Sequence, residues 1–266
     1  MMLVSVVLKV RNEEHCISDA LDSLVVQEGP LEIIIVDGSS TDRTREIIEG
    51  YQQVFGFIHL YKAGRNRAES LNHGLRRAKG DIIALTDGDC IANPNWLREM
   101  RRSIVEDGHD LVAGRSVSLG LRAWEELARV ELYNQGFDCS WPGCNLAYRR
   151  EVYEKVGDVD PWFITAEDID YNIRATDAGF NIHHNPEAII YNRTRNTVYG
   201  FVNQAFWNGA GRKQLNIKYE GRLWHKYNPI NMLTERKMTF WYMVRIGAAG
   251  MGYIGFKYFG AKKMLQ

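Results

Sequence analysis

Four short apolar runs, each ending in a polar cluster, constrain this chain more than any other feature. They lie at residues 3–10 (LVSVVLKV), 31–36 (LEIIIV), 57–61 and 81–86 (DIIALT). All are short, and the first, second and fourth are rich in β-branched residues, as strands buried on both faces must be, while the third is weaker. Helix-like stretches separate them. In residues 15–27, Ile17, Ala20, Leu21, Leu24 and Val25 recur at helical spacing. Residues 44–51 follow a run of capping residues, Ser39-Ser40-Thr41-Asp42, and residues 67–78 end at Lys79-Gly80. Strands alternating with helices predict a parallel sheet with right-handed crossovers. Ligands of such sheets bind at the carboxyl ends of the strands. Asn12-Glu13-Glu14, Asp37-Gly38-Ser39 and Asp87-Gly88-Asp89 all fall at such ends, so the pattern gathers them on one rim.

The second half is less regular. The pattern predicts helices over 95–107, 123–133, 168–178 (closed by Gly179) and 198–207. It predicts strands over 110–118 and 188–191, and a loop, Trp141-Pro142-Gly143-Cys144-Asn145, before residues 146–149. No repeat or low-complexity linker divides the chain. With 266 residues, 45% hydrophobic and 25% charged, it has the composition of a globular α/β protein rather than a disordered one. Lys+Arg and Asp+Glu both number 33, which removes bulk attraction to nucleic acid, and no nucleic-acid partner is expected. Cys16, Cys90, Cys139 and Cys144 have neither disulfide-scaffold nor zinc-site spacing and read as reduced thiols. The first residues lack the basic stretch and cleavage site of a signal peptide. A cytoplasmic protein is the expectation, with the cytoplasmic face of a membrane as one station. Segment 238–259 is apolar and glycine-rich, but Arg245 and Lys257 leave an uncharged stretch far short of the roughly 20 residues a span needs. Its aromatic and basic edges suit a helix lying in a membrane interface, and packing on the domain's own core is the alternative.

Three acidic groups carry candidate chemistry. Asp87 and Asp89, one residue apart at a strand end, can face a hard cation such as Mg²⁺ or Mn²⁺ together, with Gly88 leaving the approach open; two solvated turn carboxylates are the bland alternative. Asp37 can accept hydrogen bonds from a base edge or a ribose, while Ser39 and its neighbours read equally well as helix caps. Glu13 adds acidity beside them, and Arg11 and Arg65 are candidate phosphate contacts or plain surface charges. Glu167-Asp168-Ile169-Asp170 opens a helix, where carboxylates suit the dipole. Its functional reading is a general base that takes a proton from an attacking hydroxyl.

The ordered set VSVVLKVRNEE (4–14), IIIVDGSSTD (33–42), AKGDIIALTDGDC (78–90), PGCNLAYRREVYEKVG (142–157) and EDIDYNIRATDAGF (167–180) resembles glycosyltransferase family 2 over roughly residues 4–210. The resemblance implies a GT-A fold: a Rossmann-like, mostly parallel sheet flanked by helices, here with a C-terminal helical apolar segment. It implies a domain over 1–215, with a nucleotide-binding half at about 1–115 and an acceptor-binding half at about 116–215, followed by an extension over 216–266. It further implies an inverting enzyme using a UDP- or GDP-type sugar donor, Mg²⁺ or Mn²⁺, and a glycan or lipid-linked acceptor, of the kind found in cell-envelope glycan synthesis. Asp37 matches the nucleoside-contacting Asp, Asp87 and Asp89 the D-x-D pair, Asp168 beside Glu167 the catalytic base, and Gly143 and Asn145 the loop bordering donor and acceptor. Two departures stand out. Lys9-Val10-Arg11-Asn12 replaces a common Pro-Thr-Tyr-Asn, and Asn192 stands where many relatives have a metal- or diphosphate-binding His. His183 and His184 are nearby substitutes, and Arg193, Arg195 and Arg212 are candidates to neutralise a leaving diphosphate. A nucleotidyltransferase and a non-catalytic nucleotide-sugar-binding protein are the competing classes. The first is disfavoured by the absence of glycine from residues 10–14, the second by the intact acidic motifs.

Overall fold

The structure, a computed structural model, describes residues 1–64, 66–120, 129–193, 197–220, 222–223 and 240–264. The apolar runs form β1 (Val4–Val10), β2 (Leu31–Asp37), β3 (Ile58–Lys62) and β4 (Ile82–Asp87), joined by α1 (Ile17–Val25), α2 (Thr44–Val54) and α3 (Arg67–Leu75). All four strands run parallel, in the spatial order β3-β2-β1-β4. Alternate residues of β1 and β2 feed two cores. Val6, Leu8, Ile33 and Ile35 meet Leu21, Leu24 and Trp96 on one face, and Val7, Ile34 and Val36 meet Leu71 and Leu75 on the other. This two-sided burial is why the runs read as continuously apolar.

Beyond β4 the chain changes style. Asp87, Gly88 and Asp89 lead into a short strand the pattern did not predict, β5 (Cys90–Ala92). Next come α4 (Trp96–Val105), β6 (Leu111–Leu119), the hairpin β7 (Tyr133–Asn134) and β8 (Phe137–Asp138), and β9 (Leu146–Arg149). The rest is α5 (Arg150–Val156), α6 (Glu167–Asp177), β10 (Ile182–Arg193), α7 (Val198–Lys218) and α8 (Phe240–Met264). The sheet continues as β4-β9-β6-β10-β5, with β4–β9, β9–β6 and β10–β5 antiparallel and β6–β10 parallel. In a flat sheet, β4 and β5 would lie about 19 Å apart, at roughly 4.8 Å per strand. The connection through Gly88 and Asp89 reaches at most about 11 Å. The sheet therefore curls, bringing its far margin back beside the carboxyl end of β4.

Several expectations need correction. The strand predicted at 188–191 is the second half of β10, whose polar middle hides its length; its register with β6 shifts between Asn185 and Ile189. The helix predicted at 198–207 continues to Lys218. Of the helix predicted at 123–133, residues 123–128 lie outside the described residues, and Tyr133 belongs to β7 instead. The β7–β8 turn uses Gln135 (φ 51°) and Gly136 (φ 87°), the left-handed pair that a tight hairpin requires.

Of segment 238–259, the first two residues are outside the described set and the rest lies in α8, which packs along α7. Phe201 meets Trp241 near one end (ring centroids 5.9 Å apart), and Asn216 Nδ2 donates to the Tyr253 hydroxyl at 2.6 Å farther on, so the two helices run in the same sense. A Cβ at Gly209 would strike the Ala249 carbonyl, and one at Gly252 the Phe206 carbonyl, so backbone meets backbone at the crossing. Tyr242, Ala248 and Phe256 are buried, while Phe240, Met243, Met251, Ile254 and Tyr258 are exposed. No helix among the described residues is long and apolar enough to cross a membrane.

Candidate active site

The curl places the acidic pair between the two halves. Lys9, on β1, sits opposite Asp87 in the β1–β4 ladder, and its Nζ donates to Asp87 Oδ1 at 2.6 Å. Burial would lower the Lys9 pKa, but the Asp87 carboxylate overrides it and holds the ammonium charged. Burial would likewise raise Asp87, but Lys9 and then Arg67 hold it below the usual carboxylate range. Asp89 has no ion-pair partner among the described residues, and burial followed by the Asp87 charge pushes it up. Glu13 completes an acidic corner. Its Oε2 is buried without a hydrogen-bond partner and lies where a side chain at residue 88 would go. Burial, then Asp89, then Asp87, push Glu13 up to about 8.

Arg67 joins this corner to the second acidic motif. Its guanidinium lies 3.9 Å from both Asp87 Oδ2 and Glu167 Oε1. Glu167 opens α6 after Ala166, which takes a left-handed φ of 70°. The buried Glu167 is raised above the ordinary value by burial and by Asp168 beside it. Asp168 is held by two backbone donors: the Gly143 N–H to Oδ2 at 2.8 Å and the Ile169 N–H to Oδ1 at 2.8 Å. A Cβ at Gly143 would lie 3.3 Å from the Asp168 Cβ, so glycine lets the loop close on the carboxylate. Asp170, two residues on, points the other way. It is 0% exposed and bound by Arg174 at 2.9 Å, Lys218 at 2.7 Å and the Tyr219 hydroxyl at 2.8 Å. One motif thus supplies one carboxylate to the cleft and another to the core.

The loops after β1 and β2 are tied together. Asn12 N–H donates to Ser40 Oγ at 2.9 Å, Thr41 N–H to Asn12 Oδ1 at 2.8 Å, and Glu13 N–H to Thr44 Oγ1 at 2.7 Å. Asp37 ends β2 buried, with Oδ1 accepting from Ser40 N–H at 2.9 Å; Ser39 is exposed at φ 68°. Arg11 is exposed just past β1. Asn192 lines the cleft, its amide 3.8 Å from the Cys144 sulfur.

Other expected site residues lie elsewhere. Asn145 is 1% exposed beneath its loop, accepting from Trp96 Nε1 at 2.8 Å and donating to the Ala188 carbonyl at 3.2 Å. The Arg193 side chain is turned to Asp19 and the His15 carbonyl. His184 stacks on Trp141 and His183 on His109, with centroids 4.3 and 3.9 Å apart. Arg65 and Arg195 lie outside the described residues. Conversely, Lys9 and Arg67 were not singled out in the sequence. Lys9 had a signal, as the one charge in VSVVLKV; Arg67, the first residue of an ordinary helix, had none.

A cavity of about 1450 Å³ runs from Lys9, Asp87 and Arg67 past Gly143 and Asp168 to α7 and α8. Single small-molecule sites occupy roughly 300–1,000 Å³, so there is room for two reactants.

This architecture is the GT-A fold. The mannosyltransferase PcManGT of Pyrobaculum calidifontis, solved with GDP-Man and Mn²⁺, superposes with a TM-score of 0.70 at 18% identity, covering 98% of this chain and 76% of that one. Residues 5–157 match the family described as Glycosyl transferase family 2, and residues 82–256 match Glycosyl transferase family group 2. The chain belongs to glycosyltransferase family 2. Among curated relatives, the uncharacterized glycosyltransferase alr2836 of Nostoc is 30% identical over 62% of this chain and 57% of its own length. The dolichyl N-acetyl-alpha-D-glucosaminyl phosphate 3-beta-D-2,3-diacetamido-2,3-dideoxy-beta-D-glucuronosyltransferase of Methanococcus voltae is 25% identical over 84% of this chain and 77% of its own. The chain spans between 56% and 63% of the first three curated relatives.

Proposed function

We propose that the protein transfers a sugar from a UDP- or GDP-type nucleotide-diphospho-sugar to an acceptor hydroxyl by a single inverting displacement. The observation that carries this reading is Asp168: a carboxylate oriented by the Gly143 N–H that lines the same cavity as Asp87 of the acidic pair. In this role Asp168 takes the proton of the acceptor hydroxyl. The hydroxyl oxygen bonds to the anomeric carbon as the bond from that carbon to the diphosphate breaks on the opposite face. The transition state has oxocarbenium character, as in related glycosyl chemistry. Asp37 and the Arg11–Ser39 rim hold the nucleoside, and Glu167 keeps the floor beneath Asp168.

The donor set suits a divalent cation. Asp89 lacks a cationic partner among the described residues, and the buried Glu13 Oε2 beside it has no hydrogen bond. No three His, Cys, Asp or Glu side chains form a closed cage among the described residues. Mg²⁺ bound through one or two carboxylates, water and substrate phosphates needs none. Asp89 and Asp87 would hold the ion, with Asn192 nearby. Bound there, Mg²⁺ or Mn²⁺ supplies positive charge against the departing diphosphate. Lys9 and Arg67 add fixed cations at the same end.

The acceptor is a glycan hydroxyl, and a lipid-linked one is supported by the dolichyl-phosphate glycosyltransferase of Methanococcus voltae to which the chain is similar and by the apolar outer face of α8, which suits peripheral contact with a membrane. The test is Asp168→Asn. Turnover should fall about 10²–10⁴-fold, the usual contribution of a general base, while calorimetry shows donor binding retained. Unchanged turnover removes Asp168 from this role.

A further inference from the structure

Of the two backbone donors on Asp168, one belongs to its own helix and the other, the Gly143 N–H, comes from a loop. Residues 139–142, which lead to that donor, belong to no strand or helix, so their direction depends on what they are tied to. The tie comes from α6 itself. Asn172, 0% exposed and one helical turn after Asp168, donates its side-chain amide to the Cys139 carbonyl at 3.0 Å and to the Trp141 carbonyl at 3.2 Å. Its amide oxygen is buried without a hydrogen-bond partner. Reversing the amide would aim that oxygen at two carbonyls, so the donors must face the loop. An unmet buried acceptor costs stability, and an aliphatic side chain of the same size would avoid that cost. Asn172 is therefore suited to tying the loop rather than to filling the core.

The tie reaches the Gly143 N–H through very little chain. The Trp141 carbonyl and the Gly143 N–H lie in the two planar peptides that flank Pro142. Only the φ and ψ of Pro142 separate those planes, and its ring fixes φ, here at -73°. Holding the Trp141 carbonyl thus leaves a single torsion to aim the Gly143 N–H. The Trp141 side chain is held as well: its ring stacks on His184 with centroids 4.3 Å apart, and the Arg129 guanidinium lies 3.6 Å from its centroid. The circuit closes on itself, from Asp168 along one turn of α6 to Asn172, across to the loop, and back through the Gly143 N–H. We infer that Asn172 is a positioning residue: by clamping residues 139–143 to the helix that bears Asp168, it sets the direction of the Asp168 carboxylate. This rests on the glycosyl-transfer reading for what that carboxylate does; the clamp itself requires no turnover.

Two readouts test the clamp, one of them independent of turnover. Pro142-Gly143 is the only Pro-Gly pair in the sequence. Proline labelled with ¹³C at its carbonyl and glycine labelled with ¹⁵N therefore give one amide signal in the full chain. In Asn172→Leu, hydrogen exchange at that amide should speed up about tenfold or more, the worth of a hydrogen bond to a charged group. The second readout is hydrolysis of UDP- and GDP-sugars with Mn²⁺. There kcat should fall about 10- to 100-fold, the cost of a small misplacement, with the donor KM unchanged. In an Asp168→Asn background the same substitution should cost no further turnover, because both act through one carboxylate. The control is Asn185→Leu. Asn185 is 3% exposed, and its amide donates instead to Ser103 Oγ at 2.9 Å and to the Glu99 carbonyl at 3.3 Å. This variant should melt at a lower temperature with both readouts unchanged. Melting is recorded for every variant. If Asn172→Leu does not fold, Pro142→Ala carries the test: it frees φ without touching the Asn172 amide, and should shift exchange and kcat in the same directions by less. Where the wild type turns over donor, unchanged exchange or unchanged kcat in the folded variant would overturn the clamp. So would equal losses in Asn185→Leu, or a loss that persists in the Asp168→Asn background. Faster Gly143 exchange with no sugar-nucleotide turnover in any of the proteins, wild type included, keeps the clamp and sinks the glycosyl-transfer reading.

Discussion

The region from β1 to β4 and the region from β9 to α7 share one sheet but are held by different forces. In the first, strand follows helix follows strand, and the larger share of the packing is aliphatic, Val6, Leu8, Ile33, Ile35 and Ile82, with a buried Ser5–Glu32 pair fastening the start of β4. In the second, buried polar groups fasten distant pieces of chain. Asn145 joins Trp96 to the Ala188 carbonyl. Asp170 gathers Arg174, Lys218 and Tyr219. Gln214 accepts from the Ile164 N–H at 3.0 Å and donates to the Trp162 carbonyl at 2.6 Å. Aliphatic burial is tolerant of detail, whereas a buried polar clasp fails when one member is lost. The clasped second region holds the Asp168–Gly143 pair in place through its polar contacts.

That contrast can be broken by substitution. The largest effect belongs to Asp170→Ala. Removing a carboxylate that is 0% exposed leaves Arg174 and Lys218 uncompensated, and the loss should be about 3–5 kcal/mol in denaturant unfolding. A change below about 1 kcal/mol would mean that the clasp does not carry the second region. Asn145→Ala should come next, at about 1–3 kcal/mol, because the Trp96 N–H and Ala188 carbonyl lose their buried partner. Its sugar-nucleotide affinity should stay near wild type, since the amide is spent internally; a large loss of donor affinity would place Asn145 in direct contact with substrate. The smallest effect is pH-dependent. Burial pushes Asp138 and Asp160 up, but Arg129 on the first and Lys218 on the second outweigh it, so both are lowered in the folded state. Their contribution is therefore complete above the unfolded carboxylate value of about 3.9 and drains away as pH falls through the lower folded values. Melting temperature should drop below about pH 4 as these two ion pairs are lost, less steeply in Arg129→Met, separately from the loss that Glu13, pushed up to about 8, adds as pH rises through neutrality. Identical acid limbs in the two proteins would remove that pair from the account.

The same contrast explains what could be read in the sequence. Strands β1, β2 and β4 announce themselves because burial on both faces leaves an unbroken apolar run. Their polar ends, Glu13, Asp37, Asp87 and Asp89, were legible because a parallel sheet dictates where its ligands sit. β10 was half missed because His183, His184, Asn185 and Glu187 obscure an extended segment stabilised by β6. β5 was missed because a strand of three residues has no period; only the ladder with β10 makes it one. Asp168 and Asp170 look alike in EDID, and only packing tells the cleft-facing acid from the core-facing one. Asn145 looked like a loop residue, and Arg67 joins two motifs a hundred residues apart in a way no local pattern carries.

The two-residue bridge from β4 to β5 has a mechanical consequence. It staples the centre of the sheet to its own far margin, so the lobes cannot gape like a hinged shell without tearing the β5–β10 ladder. Reactants must enter and leave a vessel of fixed girth, and any timing of the cycle falls to loops and side chains at its mouth.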